Sequence, residues 1–319
     1  MTGSSGFIGS HLVQRFRERE WQVVGVGRRK LHDSHYLRHD LSKPLPADWT
    51  DPFDVVIHAA ARSNPWGTRK EFQQDNVQAT RNVIDYCLVA GTPKLIFISS
   101  SSVYYRPEHQ FGIVEETPLP ERAVNLYAQT KRTAEELVSN YLGTWSILRP
   151  RAVYGPGDTV LLPRILKAAR LGRLPVLTVP DGPVIGDLIY IDNLVDAVEV
   201  AATNDDAVGA FNLTNDAPVN ILDFLFEVFD RLQIPRPARR VPASSAMAYA
   251  GCLEAFHRIF RPHIEPAITR FGVHVFRYSK TFDITRAKRV LGAPRIGNKE
   301  SLKRTVAWFR DNLPSDGAP

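Results

Sequence analysis

Two side chains at helical spacing are the strongest candidates for acid–base chemistry in this sequence. Tyr127 is followed four residues later by Lys131, and the segment YAQTKRTAEELV that holds both has the composition of a helix. Residues four apart share a helix face, so the ammonium is expected beside the phenol. A nearby positive charge favours the phenolate and lowers the tyrosine pKa from about 10. The pair therefore predicts a general acid/base that acts near neutral pH.

A run of hydroxyls upstream supplies a third candidate. The segment FISSSSVYY places the serines Ser99–Ser102 at the end of an apolar stretch that is typical of a strand. An isolated Tyr and Lys on one helix are more often incidental surface residues. A hydroxyl-rich strand end in the same sequence weakens that interpretation, because it supplies the third partner that the chemistry needs.

The N-terminal segment TGSSGFIG has the spacing of a phosphate-binding loop. Gly3, Gly6 and Gly9 precede an amphipathic helix. Glycines permit a tight turn, let backbone amides approach a pyrophosphate and allow close packing of helix on sheet, and the helix N-terminus favours negative charge. A glycine triad alone is a weak signal, since a Gly/Ser-rich turn has the same composition.

The sequence after the second expected strand indicates which dinucleotide would bind. In such βαβ units a residue roughly twenty positions after the loop contacts the adenosine ribose, an acid binding a 2′-hydroxyl and an arginine a 2′-phosphate. Here the segment reads Gly27-Arg28-Arg29-Lys30. Two arginines and no acid predict NADP(H). NAD(H) is the alternative if both arginines are solvated loop charges. Asp40-Leu41 is a candidate contact to the adenine.

The elements that must position these residues alternate between β-rich runs and helical segments. Continuous apolar runs such as VVIHAAA fit strands that are buried on both faces. The alternation predicts an α/β fold of the Rossmann type, with a doubly wound parallel sheet. The expected strands are Trp21–Val26, Val55–Ala59, Leu95–Ser99 and Ser146–Leu148, and the expected helices are Asn76–Ala90 and Tyr127–Leu142.

The strand that should precede the glycine loop is short in this sequence. Such folds begin with several apolar residues that end in Val-Thr-Gly, whereas this chain begins Met-Thr-Gly. We expect a truncated first strand, with Met1 in the place of a strand valine and a natural start several codons upstream. A chain that begins at Met1 is expected to leave a gap in the middle of the sheet.

The second half of the chain is less regular and richer in proline after about Gly155. Helices are indicated at Leu161–Leu171, Asn193–Thr203 and Ile221–Leu232. We predict a cofactor-binding domain over residues 1–158 and a smaller, mainly substrate-binding domain over 159–319. Residues from about 188 to 212 are expected to return to the first domain, and the tail from 313 to 319 to fray.

Composition and charge exclude several other classes of protein. Hydrophobic residues make up 44% and charged residues 23% of the 319, which is ordinary globular usage and argues against disorder. The net charge of +6 comes from scattered Lys and Arg residues among 34 acids, so a nucleic-acid partner is not indicated. No stretch approaches the ~18 apolar residues of a membrane span, and no signal segment is evident, so the cytoplasm is the expected location.

Neither cysteines nor histidines indicate a metal site. Cys87 and Cys252 are the two cysteines, far apart and without CxxC spacing. If residues 35–41 form the third strand, His35 and His39 lie about 13 Å apart and cannot share an ion. No GxSxG motif is present, so a hydrolase is unsupported.

Taken together, the motifs resemble the extended short-chain dehydrogenase/reductase family over nearly the whole chain. They are TGSSGFIG, HAAA at 58–61, ISSSSVY, YAQTK, LRPRAVYGPGD and YIDNLVDA. The resemblance implies that Ser100 hydrogen-bonds the substrate oxygen, Tyr127 exchanges its proton and Lys131 holds the nicotinamide ribose while hydride passes to or from the nicotinamide. Implied cofactor contacts are Gly3, Ser5, Gly6, Phe7, Ile8, Gly9, Arg28, Arg29, Asp40, Leu41, Ala59, Ala60, Ala61, Asn76, Tyr127, Lys131, Pro150 and Val153. Asn76 as an ordinary helix-entry residue is the competing interpretation.

The subfamily is indicated by a replaced arginine. Nucleotide-sugar epimerases and dehydratases of this family usually carry an arginine before the Asp-aromatic pair that leads into the Y-x-D segment, where this chain has Gly186. The stretches GPGDTVLLPRILKAARLGRLP and TFDITRAKRVLG resemble the 3β-hydroxysteroid dehydrogenase and 2-alkyl-3-oxoalkanoate reductase branch. This implies an apolar ketone or secondary alcohol as substrate. The alternatives are a nucleotide-sugar epimerase, 4-ketoreductase or dehydratase, and a non-catalytic NADP(H) sensor.

Aromatic residues in the second half offer an expected apolar lining, although each is more often simply core. The segment MAYAGCLEAFHRIF is expected to be a lid helix, with a membrane-interface helix as the alternative. The resemblance also implies a homodimer through a four-helix bundle that includes the Tyr/Lys helix. The expected lining residues are Tyr104, Tyr105, Met247, Tyr249, Phe256, Phe260, Phe271 and Phe276.

Overall fold

The computed structural model describes residues 1–46, 48–49, 52–64 and 66–312. The tail, for which fraying was expected, lies outside these residues. The strands are β1 (Gly25–Gly27), β2 (Tyr36–Arg38), β3 (Val55–His58), β4 (Lys94–Ile98), β5 (Gln110–Ile113), β6 (Trp145–Pro150), β7 (Val153–Tyr154), β8 (Val176–Thr178), β9 (Ile185–Gly186), β10 (Ile189–Tyr190), β11 (Gly209–Leu213), β12 (Val219–Asn220), β13 (Arg240–Pro242) and β14 (Lys280–Phe282).

The helices cover the expected segments and add several others. They are α1 (Phe7–Glu18), α2 (Arg69–Phe72), α3 (Ala79–Val89), α4 (Leu126–Ser139), α5 (Leu162–Arg170), α6 (Ile191–Thr203), α7 (Ile221–Arg231), α8 (Ala243–Phe260), α9 (Arg270–Val275), α10 (Thr285–Leu291) and α11 (Asn298–Asn312). A π-helical segment (Gln73–Gln78) joins α2 to α3, and a 3-10 turn (Ser101–Tyr104) follows β4. No helix in the described part of the chain is long and apolar enough to cross a membrane.

A parallel sheet forms the centre of the molecule, which confirms the predicted Rossmann-type architecture. Its order is β2, β1, a bridge at Thr2, β3, β4, β6 and β11. Every strand pair in it is parallel. Parallel strands end at the same edge, so the segments that follow β1, β3, β4 and β6 meet at one side of the sheet.

The side chains of the central strands alternate between two cores. In β4, Leu95 and Phe97 belong to the cluster beneath α3 and α4, while Ile96 and Ile98 belong to the cluster beneath α1 and α6. All four are buried. This alternation explains why the strand reads as a continuous apolar run, since neither of its faces meets water.

Between β1 and β3 the main sheet contains a single bridging residue, Thr2. Thr2 N donates to Ile57 O at 2.9 Å, and Gly3 N donates to Val26 O at 2.8 Å, so both neighbouring strands find partners. The Thr2 hydroxyl also lies 2.7 Å from His58 Nδ1. Burial lowers the pKa of His58 to about 3, and this histidine therefore serves as a neutral link between strands.

The remainder of the chain forms smaller sheets beside the carboxyl edge of the main one. One has the order β12, β9, β14, β5, and two further pairs are β13 with β8 and β10 with β7. β11 returns to the main sheet, where it pairs with β6, and α6 packs against α1. The division at residue 158 stays a prediction.

The helix expected at Asn76–Ala90 begins earlier than the sequence pattern indicated. A capping box at Thr68 and Glu71 starts α2: Glu71 N donates to the Thr68 hydroxyl at 3.2 Å and Thr68 N donates to Glu71 Oε2 at 2.8 Å. The chain then widens into the π-helical segment before α3. Such segments are rare and have no simple sequence signature, so the spacing of apolar residues did not predict it.

Gly9→Ala tests the packing of α1 on the glycine loop. A Cβ at Gly9 would lie 2.1 Å from Gly3 O and 2.7 Å from Gly3 C, and both atoms are backbone. We expect the free energy of unfolding to fall by about 1–3 kcal/mol, measured by urea denaturation. Gly251→Ala is the matched control, because a Cβ there meets only Arg270 Cδ at 3.8 Å inside a helix. That variant should be unchanged or more stable, and equal losses in both would contradict this account.

Candidate active site

A cavity of about 560 Å³ lies at the carboxyl edge of the main sheet, between the glycine loop and the start of α4. It collects almost all of the predicted site residues although they are scattered over the first half of the chain. The predicted residues that line it are Gly3, Ser5, Gly6, Phe7, Ile8, Gly9, Arg28, Arg29, Asp40, Leu41, Ala59, Ala60, Ala61, Ser100, Tyr127, Lys131, Pro150 and Val153.

The glycine-loop end of the cavity has the properties of an anion site. α1 begins after Gly6 without a side-chain cap and without an acidic residue in its first turn. Its first amides and its dipole therefore favour a negative group. Gly3 has φ +67°, and a Cβ there would lie 2.7 Å from Ala60 N. This close backbone approach fits a dinucleotide pyrophosphate.

Arg28 and Arg29 line this end of the cavity. Arg29 Nη1 donates to Ser5 O at 2.8 Å. Arg28 is 63% exposed at its side chain and lies 3.3 Å from the Asp75 carboxylate. Asp75, which the sequence did not indicate, also accepts from Arg62 Nε at 2.9 Å. It sits in the π-helical segment, so the irregular helix delivers an acid to the cofactor end of the cavity.

Asn76 is the one predicted cofactor contact that does not line the cavity. Its side-chain oxygen accepts from Arg62 N at 2.7 Å, and its amide donates to the Thr130 hydroxyl at 2.9 Å. These contacts join the chain after β3 to the buried face of α4. Both ends of the amide are thus engaged by the protein itself, and a direct contact of Asn76 with the cofactor stays a prediction.

The catalytic candidates come together at the start of α4. The helix begins at Leu126, where the Asn125 side chain accepts from Ala128 N at 2.8 Å, and Tyr127 occupies its first turn. Ser100 precedes the 3-10 turn, and its hydroxyl is near enough to the Tyr127 phenol to oppose the effect of burial on the pKa of that phenol.

The expected depression of the Tyr127 pKa by Lys131 was wrong. Burial raises the Tyr127 pKa, and only the hydrogen bond with Ser100 opposes it. Lys131 Nζ donates to Ile98 O at 2.7 Å and lies 4.5 Å from the centre of the Phe97 ring. Burial lowers the Lys131 pKa to about 7, against the attraction of Glu135. Desolvation outweighs the Coulomb attraction on which the sequence argument rested.

The opposite end of the cavity is lined by residues that the sequence did not single out. Of the expected aromatic lining, only Phe271 contributes. Tyr249, Phe256 and Phe260 on α8 are exposed, so the lining expected from them was wrong. Most of the lining residues at this end lie between residues 151 and 164, in stretches that indicated the branch without a role for single residues, and α9 adds Phe271 and Val275 from far along the chain. The other lining residues here are Arg151, Ala152, Thr159, Val160, Leu161, Arg164 and Val275.

The position that usually carries a phosphate-binding arginine lies outside the cavity. Gly186 pairs with Val219 and Lys280 in the smaller sheet, and a Cβ there would lie 3.0 Å from Ile221 Cδ1. The cavity nevertheless holds Arg151 and Arg164. The missing arginine therefore does not leave the substrate end without positive charge.

Comparison with known proteins places this site in a family. The sequence profile described as "NAD dependent epimerase/dehydratase family" matches residues 1–214. A 2-alkyl-3-oxoalkanoate reductase of Shewanella oneidensis is 31% identical, over 96% of this chain and 85% of that protein. The chain therefore belongs to the NAD-dependent epimerase/dehydratase family, within the extended short-chain dehydrogenases/reductases. It is an NAD(P)-dependent enzyme that acts on CH–OH groups.

Further relatives confirm the branch expected from the sequence. The 3beta-hydroxysteroid-dehydrogenase/decarboxylase isoform 2 of Arabidopsis thaliana is 33% identical over 97% of this chain and 61% of that protein. Among solved structures, MoeE5 in complex with UDP-glucose and NAD superposes with a TM-score of 0.76 at 26% identity, covering 98% of both chains. The UDP-glucuronic acid 4-epimerase of Bacillus cereus in complex with NAD gives 0.74 at 22% identity, covering 97% of both, which supports the fold.

Lys131→Met tests whether burial lowers the pKa of this lysine. Between pH 7 and 10.5 the unfolded chain binds a proton that folded Lys131 has released, so this group makes the parent more stable as the pH rises through that window. The variant lacks this contribution. We expect the difference in free energy of unfolding, parent minus variant, to increase by up to about 1.4 kcal/mol per pH unit.

The measurement is urea denaturation at pH 7, 8, 9 and 10 on cofactor-free protein. Lys299→Met, at an exposed position of α11, controls for the loss of a lysine as such. A difference between parent and Lys131→Met that stays constant across the range would show that the ammonium is not desolvated.

Proposed function

We propose that the protein is an NADP(H)-dependent oxidoreductase that interconverts a ketone and a secondary alcohol on an apolar substrate. The substrate is 3-oxo or 3-hydroxy steroid-like or 3-oxoacyl-like. The observation that carries this proposal is that Ser100, Tyr127 and Lys131 line the same cavity as the glycine loop. One cavity thus offers a dinucleotide site and a proton-transfer pair.

In the proposed reaction the cofactor, when bound, supplies or accepts the hydride at its nicotinamide ring. Ser100 donates a hydrogen bond to the substrate oxygen. Tyr127 Oη gives its proton to that oxygen during ketone reduction and removes it during alcohol oxidation. Lys131, anchored by Ile98 O, places a positive charge beneath the site and stabilises the phenolate that reduction leaves behind.

The preference for NADP(H) is supported by the two arginines at the rim. Arg28 and Arg29 present guanidinium groups where the adenosine ribose of a dinucleotide would lie, and each can donate to a 2′-phosphate. Arg28 is held by Asp75, so its side chain is oriented before the cofactor arrives. An NADP(H) preference favours ketone reduction as the direction.

The choice of an apolar substrate is supported by the relatives and by the cavity. The names of the relatives include a 2-alkyl-3-oxoalkanoate reductase and a hydroxysteroid dehydrogenase. The cavity surface beyond the catalytic pair includes Val160, Leu161, Phe271 and Val275. A hydrophobic chain or ring system would be desolvated there.

Tyr127→Phe tests the catalytic assignment. Removal of the hydroxyl deletes the proton donor, so turnover of a panel of apolar ketones with NADPH should fall by about 10²–10⁴-fold. Cofactor binding, followed by fluorescence, should persist. Tyr141→Phe is the control, because it removes a buried hydroxyl that donates to Pro93 O outside the cavity. Parent turnover only of 4-keto sugar nucleotides would favour an epimerase or 4-ketoreductase, and cofactor binding without turnover would favour a sensor.

Arg28→Ala tests the cofactor preference. Loss of a charge-assisted hydrogen bond should weaken NADPH binding by about 10- to 100-fold and leave NADH binding nearly unchanged. Dissociation constants from titration calorimetry for both cofactors give the comparison. Arg17→Ala removes an arginine that pairs with Asp33 on the outside of α1 and serves as control. Equal effects on both cofactors would contradict recognition of the 2′-phosphate.

A further inference from the structure

A group of buried polar atoms next to the cavity has no hydrogen-bond partner. The group, here named the polar recess, consists of Ser102 Oγ, Tyr105 Oη, Arg151 Nε, Asp187 Oδ1 and His274 Nδ1. Buried polar atoms are nearly always paired in folded proteins, because an unpaired one loses its hydration without compensation. Five such atoms in one neighbourhood indicate that a polar group from outside the chain completes them.

The members of the polar recess are linked to one another. Tyr105 N donates to Ser102 O at 3.1 Å, and the Tyr105 ring stacks on the His274 ring with centroids 6.2 Å apart. The charge of Arg151 acts on both Tyr105 and Asp187. Residues of the 3-10 turn, the segment after β6, the smaller sheet and α9 are thus neighbours in this part of the molecule.

The polar recess opens onto the cavity close to the catalytic pair. Ser102 and Arg151 both line the cavity, and Tyr105 packs edge-on against the lining residue Phe271 at 5.3 Å. Ser102 N donates to Ser100 Oγ at 3.2 Å, so the recess begins within one turn of the catalytic serine. A group bound in the recess would therefore lie close to Ser100.

The charge of the polar recess favours an anion. Arg151 is 9% exposed, and its buried Nε has no hydrogen-bond partner among the described residues. Lys280 Nζ lies 4.4 Å from the centre of the Tyr105 ring and donates to Arg106 O at 2.8 Å, and burial lowers its pKa to about 7. The only acid, Asp187, has one oxygen engaged by Phe282 N at 2.8 Å, and burial raises its pKa to about 6. A buried cation without a partner is costly until an anion reaches it.

We propose that the polar recess binds a carboxylate of the substrate, with Arg151 as its main ligand. The substrate is then a 3-oxo or 3-hydroxy acid, in which the carboxylate is separated from the reacting carbon by one carbon atom. The planar guanidinium matches a carboxylate with two parallel hydrogen bonds, and the hydroxyls of Ser102 and Tyr105 supply further donors. This inference rests on the proposed function and adds the specificity-determining residue to it.

Arg151→Met tests the proposal with two substrates that share one carbon skeleton, of which one carries a carboxylate and the other an uncharged methyl ester. A long-chain 3-hydroxy acid and its methyl ester are oxidised with NADP⁺, and kcat/KM is measured for each. The parent should prefer the acid. The variant should lose about 10- to 100-fold on the acid, mainly through KM, while the ester changes little.

Two controls separate carboxylate binding from a structural role of the arginine. Arg164→Met removes the second arginine at the substrate end of the cavity, which is ion-paired with Glu265. This variant should change kcat/KM for the acid and for the ester by the same factor. Arg151→Lys should restore part of the preference for the acid. If Arg151→Met does not fold, Ser102→Ala removes one donor from the same recess and should weaken the acid selectively.

The outcomes distinguish this inference from the proposed function. Equal losses on acid and ester in Arg151→Met would overturn carboxylate binding. A parent that turns over neutral ketones and esters but not acids would also overturn it, while the proposed function would stand. A parent that turns over none of these substrates would contradict both the carboxylate site and the proposed function. Loss of UDP-glucose binding in Arg151→Met would assign the arginine to a diphosphate instead.

Discussion

A buried ion pair between Glu135 and Arg149 is the contact on which the geometry of the site depends. The Glu135 carboxylate accepts from Arg149 Nη2 at 2.7 Å and Nε at 3.0 Å, and also from the Ser99 hydroxyl. Arg149 in turn donates to Tyr104 Oη. One carboxylate thus fixes α4, β4, β6 and the serine turn relative to each other. Either charge alone would be buried without a partner, so the four elements are held as a unit.

The same burial that makes this ion pair effective determines how the catalytic groups titrate. Desolvation disfavours the charged form of any group, and for a buried side chain it shifts a pKa by as much as 3–5 units. It therefore raises the pKa of Tyr127 and lowers that of Lys131. Helix spacing predicts the attraction between the two side chains but does not predict how deeply they are buried. This is why it predicted the wrong direction for the pKa of the tyrosine.

The cofactor half of the site was predictable from the sequence because it depends on backbone geometry and local order. The glycine loop, the apolar strands and the Arg28–Arg29 pair each lie within one short segment, and parallel strands bring their ends together without further information. Asp75 was missed because the π-helical segment, which has no simple sequence signature, brings its side chain to the cavity. The homodimer and the domain boundary stay predictions.

The substrate half of the site depends on tertiary contacts, so local motifs did not predict the roles of its residues. Its walls combine the segment after β6, the start of α5 and α9, and α9 lies about 100 residues further along the chain. The polarity of these walls depends on which buried groups lack partners. Arg151 follows Pro150 within the motif LRPRAVYGPGD, where it reads as an ordinary loop arginine. Only the fold shows that Tyr105 and Asp187 lie near it without pairing with it. The family motif predicts where Arg151 lies along the chain. It does not predict that the Nε of this arginine lacks a partner among the described residues, which is the basis for proposing it as a carboxylate ligand.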